Sequence, residues 1–315
     1  MSRAVSIAAA ALLAVVVLLA AAALASCSRG LSAARARVIA SEPFLADIAR
    51  EVAGDRIGVT ALLPIGVDPH TWEPAPRDAA AVASAALFIV NGAGLEAFLQ
   101  PLLDGLGGQR PRIVEASAGL VPRQRGSAEP GAAGGHEEVD PHFWLDPLNV
   151  VRYAENIRDA LAELDPAGVA TFRANAAAYA EKLRELDRWI AGEVARIPPE
   201  RRLLVTNHDS LGYFADRYGL RIVGTVIPGV STGASPSAKD LAALADGLRG
   251  TGARALFIEE GADPRLARQL ATETGLRLVT DLRTHTLSGP DGPAPTYLAM
   301  MRADVRTIVD ALAAP

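Results

Sequence analysis

The chain has a single cysteine, Cys27, in 315 residues. No intramolecular disulfide is therefore possible, and stability must come from an apolar core, which a chain of this length can bury. Basic residues are outnumbered, 31 Lys and Arg against 36 Asp and Glu, for a formal net charge of −5. That balance gives no support to a nucleic-acid-binding face, which would need clustered positive charge. A mildly acidic surface suits a cation only in a general way, because net charge speaks to solubility and steering rather than to a site. No His-Glu-x-x-His occurs, so the usual zinc-hydrolase signature is missing. Histidine is also scarce, with five in all, so two in near-identical settings carry weight.

The amino terminus is different in kind. Arg3 is followed by an almost unbroken run of Ala, Val and Leu from Ala4 to Ala25, with only Ser6 polar. Such a run is an export signal or a membrane anchor. It ends in Leu24-Ala25-Ser26-Cys27, which resembles a bacterial lipoprotein processing site, where the leader is cut before the cysteine and the cysteine then carries lipid. The alternative is an uncleaved transmembrane helix. Either way the remainder is exported and membrane-tethered, facing the periplasm or the cell exterior. Residues 1–27 are thus read as leader and 28–36 as a tether.

From residue 37 onward, strand-like and helix-like stretches alternate. Leu87-Phe88-Ile89-Val90 is a short apolar run closed by Asn91-Gly92, the pattern of a buried strand. Leu203 to Thr206 and Ala255 to Glu259 read the same way. The region 122–139 breaks the pattern with Gly, Pro and no apolar period, and reads as a loop. Asp165-Pro166 supplies an N-cap and a first-turn proline. Phe172, Ala176, Tyr179, Leu183, Leu186 and Ile190 then recur at helical spacing until Pro198-Pro199. About 30 residues at ~1.5 Å each span ~45 Å. The expected fold is α/β, two parallel-sheet α/β lobes (37–165 and 198–315) joined by one long rigid helix (166–197).

Asp-Pro-His occurs twice, as Asp68-Pro69-His70 and Asp140-Pro141-His142, each with Trp two residues later (Trp72, Trp144). Proline fixes its own φ and biases the preceding residue toward extended backbone, so each imidazole is presented from a stiff turn, as metal ligation requires. Ligands of parallel α/β sheets gather at the carboxyl ends of strands. His208 stands just after the strand 203–206, Asp281 just after the expected strand 276–280, and Glu259 ends its own strand. Three imidazoles and a carboxylate, His70, His142, His208 and Asp281, form a four-ligand set for a cation held between the lobes. Glu259, Trp72 and Trp144 are expected around that set rather than in it. His285, in Thr284-His285-Thr286, ranks below these four, as does His136 in the Gly-rich loop.

With these residues in view, the chain resembles the zinc and manganese solute-binding lipoproteins of bacterial ABC importers (cluster A-I). The matching runs are 63–74, 140–147, Asn207-His208-Asp209-Ser210-Leu211-Gly212-Tyr213-Phe214, 255–259 and 296–301. The resemblance implies an ion at the lobe interface on His70, His142, His208 and Asp281. It also implies an ABC permease with its ATPase as partner, a lipid on Cys27, a metallochaperone as a further partner, and a monomer. Zinc members often carry a long His- and acid-rich loop before the second histidine, whereas here the loop is short and holds only His136. Imidazole suits zinc, while added carboxylate favours a harder ion such as manganese. Three His and one Asp thus lean to Zn2+, with Mn2+ the alternative. A zinc-dependent hydrolase is the competing class, with Glu259 as its candidate base. A chelate-binding protein or adhesin is a third.

Overall fold

The computed structural model describes residues 38–123, 139–233 and 235–314. The leader, Cys27, the tether, His136 and most of the 122–139 loop lie outside them. Among the described residues, no helix is long and apolar enough to cross a membrane.

Two parallel four-stranded sheets organise the chain. The first contains β1 (Val38–Ala40), β2 (Val59–Ala61), β3 (Leu87–Val90) and β4 (Arg112–Glu115) in the order β2-β1-β3-β4. The second contains β5 (Leu203–Thr206), β6 (Arg221–Thr225), β7 (Ala255–Glu259) and β8 (Arg277–Leu282) in the order β6-β5-β7-β8. Among the described residues, the paired strands of both sheets run parallel. The apolar runs stand at the sheet centres. β1, β3 and β5 are buried along their whole length, while the edge strand β4 is largely exposed. A strand covered on both faces must be apolar throughout, which is why these runs do not alternate.

The helices are α1 (Pro43–Ala53), α2 (Pro76–Ala83), α3 (Gln100–Gly105), α4 (Pro147–Leu164), α5 (Val169–Val194), α6 (Gly212–Tyr218), α7 (Ala238–Leu248), α8 (Arg265–Thr274) and α9 (Tyr297–Ala313). Between β3 and β4 the chain forms a 3₁₀ turn over Leu95–Leu99 and then α3. Pro101 lies in the first turn of α3, where a missing N–H costs nothing, and there it starts a new helix. The long helix is α5, 26 residues or ~39 Å. Its buried stripe includes Phe172, Tyr179, Leu183, Leu186 and Ile190 and faces α1, α4 and α9. One core runs through these helices and both sheets, from Val38 and Phe44 to Phe257 and Val305. Trp144 stacks on Phe44 at 4.5 Å within it, and the Tyr297 hydroxyl donates to the Trp144 carbonyl at 2.7 Å.

Leu183 is fully buried on α5. Leu183→Ala should lower unfolding stability by about 2–5 kcal/mol. Urea titration checks this, with the midpoint falling and the slope unchanged.

Candidate metal centre

The two Asp-Pro-His motifs fold into the same local device. Asp68 Oδ1 accepts the His70 backbone N–H at 2.9 Å, and Asp140 Oδ1 accepts that of His142 at 3.0 Å. This is the turn an Asp side chain makes with the backbone two residues on. Proline between them lacks an N–H and cannot compete for the carboxylate. His70 leaves the loop after β2, and His142 directly precedes a 3₁₀ turn, Phe143–Leu145, that leads into α4. His208 lies two residues past β5, where Thr206 Oγ1 donates to its carbonyl at 2.8 Å. These three expected residues meet at one point.

The fourth histidine at that point is His285. His70, His142, His208 and His285 each offer a ring nitrogen, all within 4.8 Å of one another. Nε2–Nε2 separations are 3.1 Å for His142–His285, 3.3 Å for His70–His285 and 3.4 Å for His142–His208. A tetrahedral zinc with Zn–N bonds of 2.0–2.1 Å has N···N edges of about 3.3–3.4 Å. The three distances lie close to those edges. His142 and His208 are wholly buried and His285 nearly so, with His70 the most open.

Asp281, expected in the fourth place, lies outside the cluster. It is exposed, and its carboxylate accepts from Thr280 Oγ1 at 3.2 Å. The reason is the length of β8. The register between β7 and β8 shifts between Phe257 and Glu259, and β8 continues to Leu282. Asp281 is therefore still within the strand, and the chain turns inward only at Thr284 and His285. The one signal in the sequence that could have raised His285 is that it is one of only five histidines. In the fold, the Thr284 hydroxyl beside it lies 2.8 Å from its Nδ1.

Three of the four rings are anchored through Nδ1. His142 Nδ1 lies 2.8 Å from Asp140 Oδ1, His208 Nδ1 3.1 Å from Glu259 Oε1, and His285 Nδ1 meets Thr284 Oγ1. With Nδ1 carrying the proton, each Nε2 lone pair faces the centre. Glu259 also accepts from Ser210 Oγ at 3.2 Å. Trp144 is fully buried beside the cluster, 5.2 Å from the His142 ring and 5.5 Å from that of His285, and its Nε1 donates to the Thr284 carbonyl at 2.6 Å. Trp72 packs edge-on against Phe98 instead, in a satellite core of the first sheet. Two hydrogen bonds cross between the sheets beside His70 and His285. Thr232 Oγ1 donates to Asp68 Oδ2 at 2.6 Å, and the Gly66 N–H donates to Thr286 Oγ1 at 2.8 Å. Gly66 has φ of 81°, a left-handed conformation that glycine adopts without strain. A cavity of about 480 Å³, lined in part by Asp68, Thr232, Glu259 and Arg283, adjoins His208 and His285.

Burial drives the electrostatics. It pushes His142 and His285 well below their ordinary value, and the neighbouring histidines push in the same direction. His70 is lowered to about 4 by burial and then by His208. Burial opposes charge on His208 too, but the Glu259 carboxylate outweighs it and raises this group. Glu259 is the mirror case, since burial would raise it and His208 holds it low. Three neutral imidazoles and a histidine–carboxylate pair thus surround one point.

Residues 38–311 match the family described as zinc-uptake complex component A, periplasmic (ZnuA). The chain belongs to this family. It is 32% identical over 276 residues to the manganese-binding lipoprotein MntA of Halalkalibacterium halodurans, with 88% of each chain covered. It is 31% identical to the zinc-binding lipoprotein AdcA of Streptococcus pneumoniae, covering 83% of this chain and 53% of that protein. Among solved structures, the periplasmic zinc-binding protein TroA of Treponema pallidum superposes with a TM-score of 0.78 at 27% identity, over 88% of this chain and 99% of that one. The family's members are metal-binding substrate-binding proteins of ABC transporters, and this chain is one of them. The relatives' names include manganese, iron and zinc, so membership alone does not select the ion.

Two predictions follow from the geometry. His285→Ala should weaken metal binding on the order of 100-fold, whereas Asp281→Ala should change it by less than about twofold. Isothermal titration of both variants decides between them. The second concerns the metal-free protein. His70, His142 and His285 are harder to protonate folded than unfolded, so their neutral burial is stabilising above the ordinary value of 6.5. That contribution fades as pH falls from 6.5 through about 4. Urea midpoints measured across that range should drop, and His70→Gln should flatten the drop.

Proposed function

We infer that this protein captures zinc between its two lobes and delivers it to a membrane permease, with His70, His142, His208 and His285 as the ligands. The observation that carries the reading is the convergence of four imidazole nitrogens at near-tetrahedral spacing. A donor set made wholly of imidazole suits zinc, whereas manganese favours carboxylate and water oxygen. The positive charge is met one shell out, by Asp140 on His142 and Glu259 on His208. The four protein ligands close a tetrahedral sphere, which suits holding an ion. A hydrolytic zinc needs an open position for water, and Glu259 is engaged with His208 rather than poised as a base. Lipid on Cys27 would keep the protein at the outer membrane face, beside the permease and its ATPase. A metallochaperone that loads the site fits the same scheme.

Metal-stripped protein comprising residues 28–315, titrated separately with zinc and manganese, tests the reading. Expected is one-to-one zinc binding at about nanomolar Kd or tighter, with manganese at least about 100-fold weaker. Equal or reversed preference would assign the site to manganese, and no binding of either bare ion would overturn the four-ligand site. Zinc binding near pH 6 should also release about one proton per ion, carried by His208, because the others are already neutral there. Calorimetry in buffers of different ionisation enthalpy measures it, and Glu259→Gln should diminish it.

A further inference from the structure

We propose that Arg123 is a positioning residue for the metal centre, holding Asp140 and through it the ring of His142. This rests on the metal-binding reading above but is read out separately from it. Asp140 is fully buried. Its Oδ1 receives both the backbone N–H and the ring Nδ1 of His142, at 3.0 and 2.8 Å. A carboxylate so placed needs a counter-charge, because desolvated anions are costly unless paired. Arg123 supplies it. Its Nη1 lies 3.9 Å from Asp140 Oδ2, and its side chain is only 12% exposed.

The guanidinium is itself held from the second lobe. Arg123 Nε donates to Asp216 Oδ2 on α6 at 2.8 Å. The Arg123 backbone N–H donates to the Tyr213 hydroxyl at 2.8 Å, and that hydroxyl donates to the Asp140 carbonyl at 2.9 Å. Gly212, the first residue of α6, makes room for the contact. A Cβ there would fall 2.7 Å from Asp140 Oδ2 and 2.8 Å from Arg123 Nη1. Three separate parts of the chain thus meet around one carboxylate, whose Oδ1 contacts the His142 ring. The chain at Arg123 therefore has a role that needs no histidine. It brings a cation to the back of the second Asp-Pro-His turn.

The test uses Arg123→Met, which keeps the stem and removes the charge, Arg123→Lys as the conservative replacement, and Asp216→Asn as a control. Asp216 is 63% exposed, so its pair with Arg123 contributes little. In the metal-free protein, long-range 15N–1H correlations report the His142 tautomer. Wild type should be Nδ1–H, and R123M should show a mixture with Nε2–H. Zinc affinity by chelator competition should fall about tenfold in R123M, or about 1.4 kcal/mol. It should recover in part in R123K and stay within about twofold in D216N. Thermal melts of the metal-free variants separate this from general loss of fold. Gly212→Ala, which crowds the same contact, gives a second route to the tautomer shift should R123M not fold. An unchanged His142 tautomer in R123M would overturn the proposal, as would equal losses of affinity in R123M, R123K and D216N. If the wild type bound no zinc, the metal reading would fail while the tautomer still decided the role of Arg123.

Discussion

Four imidazoles converge on one point, and three of them stay neutral there because they are buried beside one another. The rest of the molecule is arranged around that constraint. An aspartate, a glutamate and a threonine hydroxyl engage the far side of three rings, and the aspartate on His142 favours a proton at Nδ1 and a lone pair at the inner nitrogen. Burial then removes the alternative of protonating the cluster, except at His208, where Glu259 makes charge acceptable. The site is therefore electrically prepared for a dication and has its balancing anions one layer further out.

Holding such a cluster together requires stiffness on both sides. Two of the clustered histidines come from the first α/β lobe and two from the second, and a core continuous through α1, α4, α5 and α9 underlies both. Trp144 joins this core to the site directly, stacked on Phe44 at one face and bonded to the carbonyl of Thr284 at its edge. The placement of His285 is thus tied to packing deep in the first lobe. The cross-lobe hydrogen bonds of Gly66 and Asp68 lie on the rim beside His70, the least buried of the four.

Much of this was legible beforehand. The alternation of apolar runs with helical periods is local, and it located the central strands β3, β5 and β7 to the residue. The two Asp-Pro-His turns were legible because the device lies within three consecutive residues. His208 was legible because a strand end is marked by the change from Leu-Leu-Val to polar residues. The carboxylate partners were less so. Glu259 was expected near the site, but its bond to His208 spans 51 positions of chain. Arg123 is one arginine among many until the fold sets it against Asp140.

By itself the sequence singled out three histidines that the fold brings together, because stiff turns and strand ends are short-range consequences of proline, aspartate and apolar runs. It determined the α/β lobes and the long helix for the same reason. Only the tertiary structure decided which fourth side chain joins that cluster. Whether Asp281 or His285 reaches the centre depends on where β8 stops, and that is set by a register shift against β7 and by the Trp144 contact to Thr284. Both are interactions between segments distant in the chain, to which local residue patterns are blind.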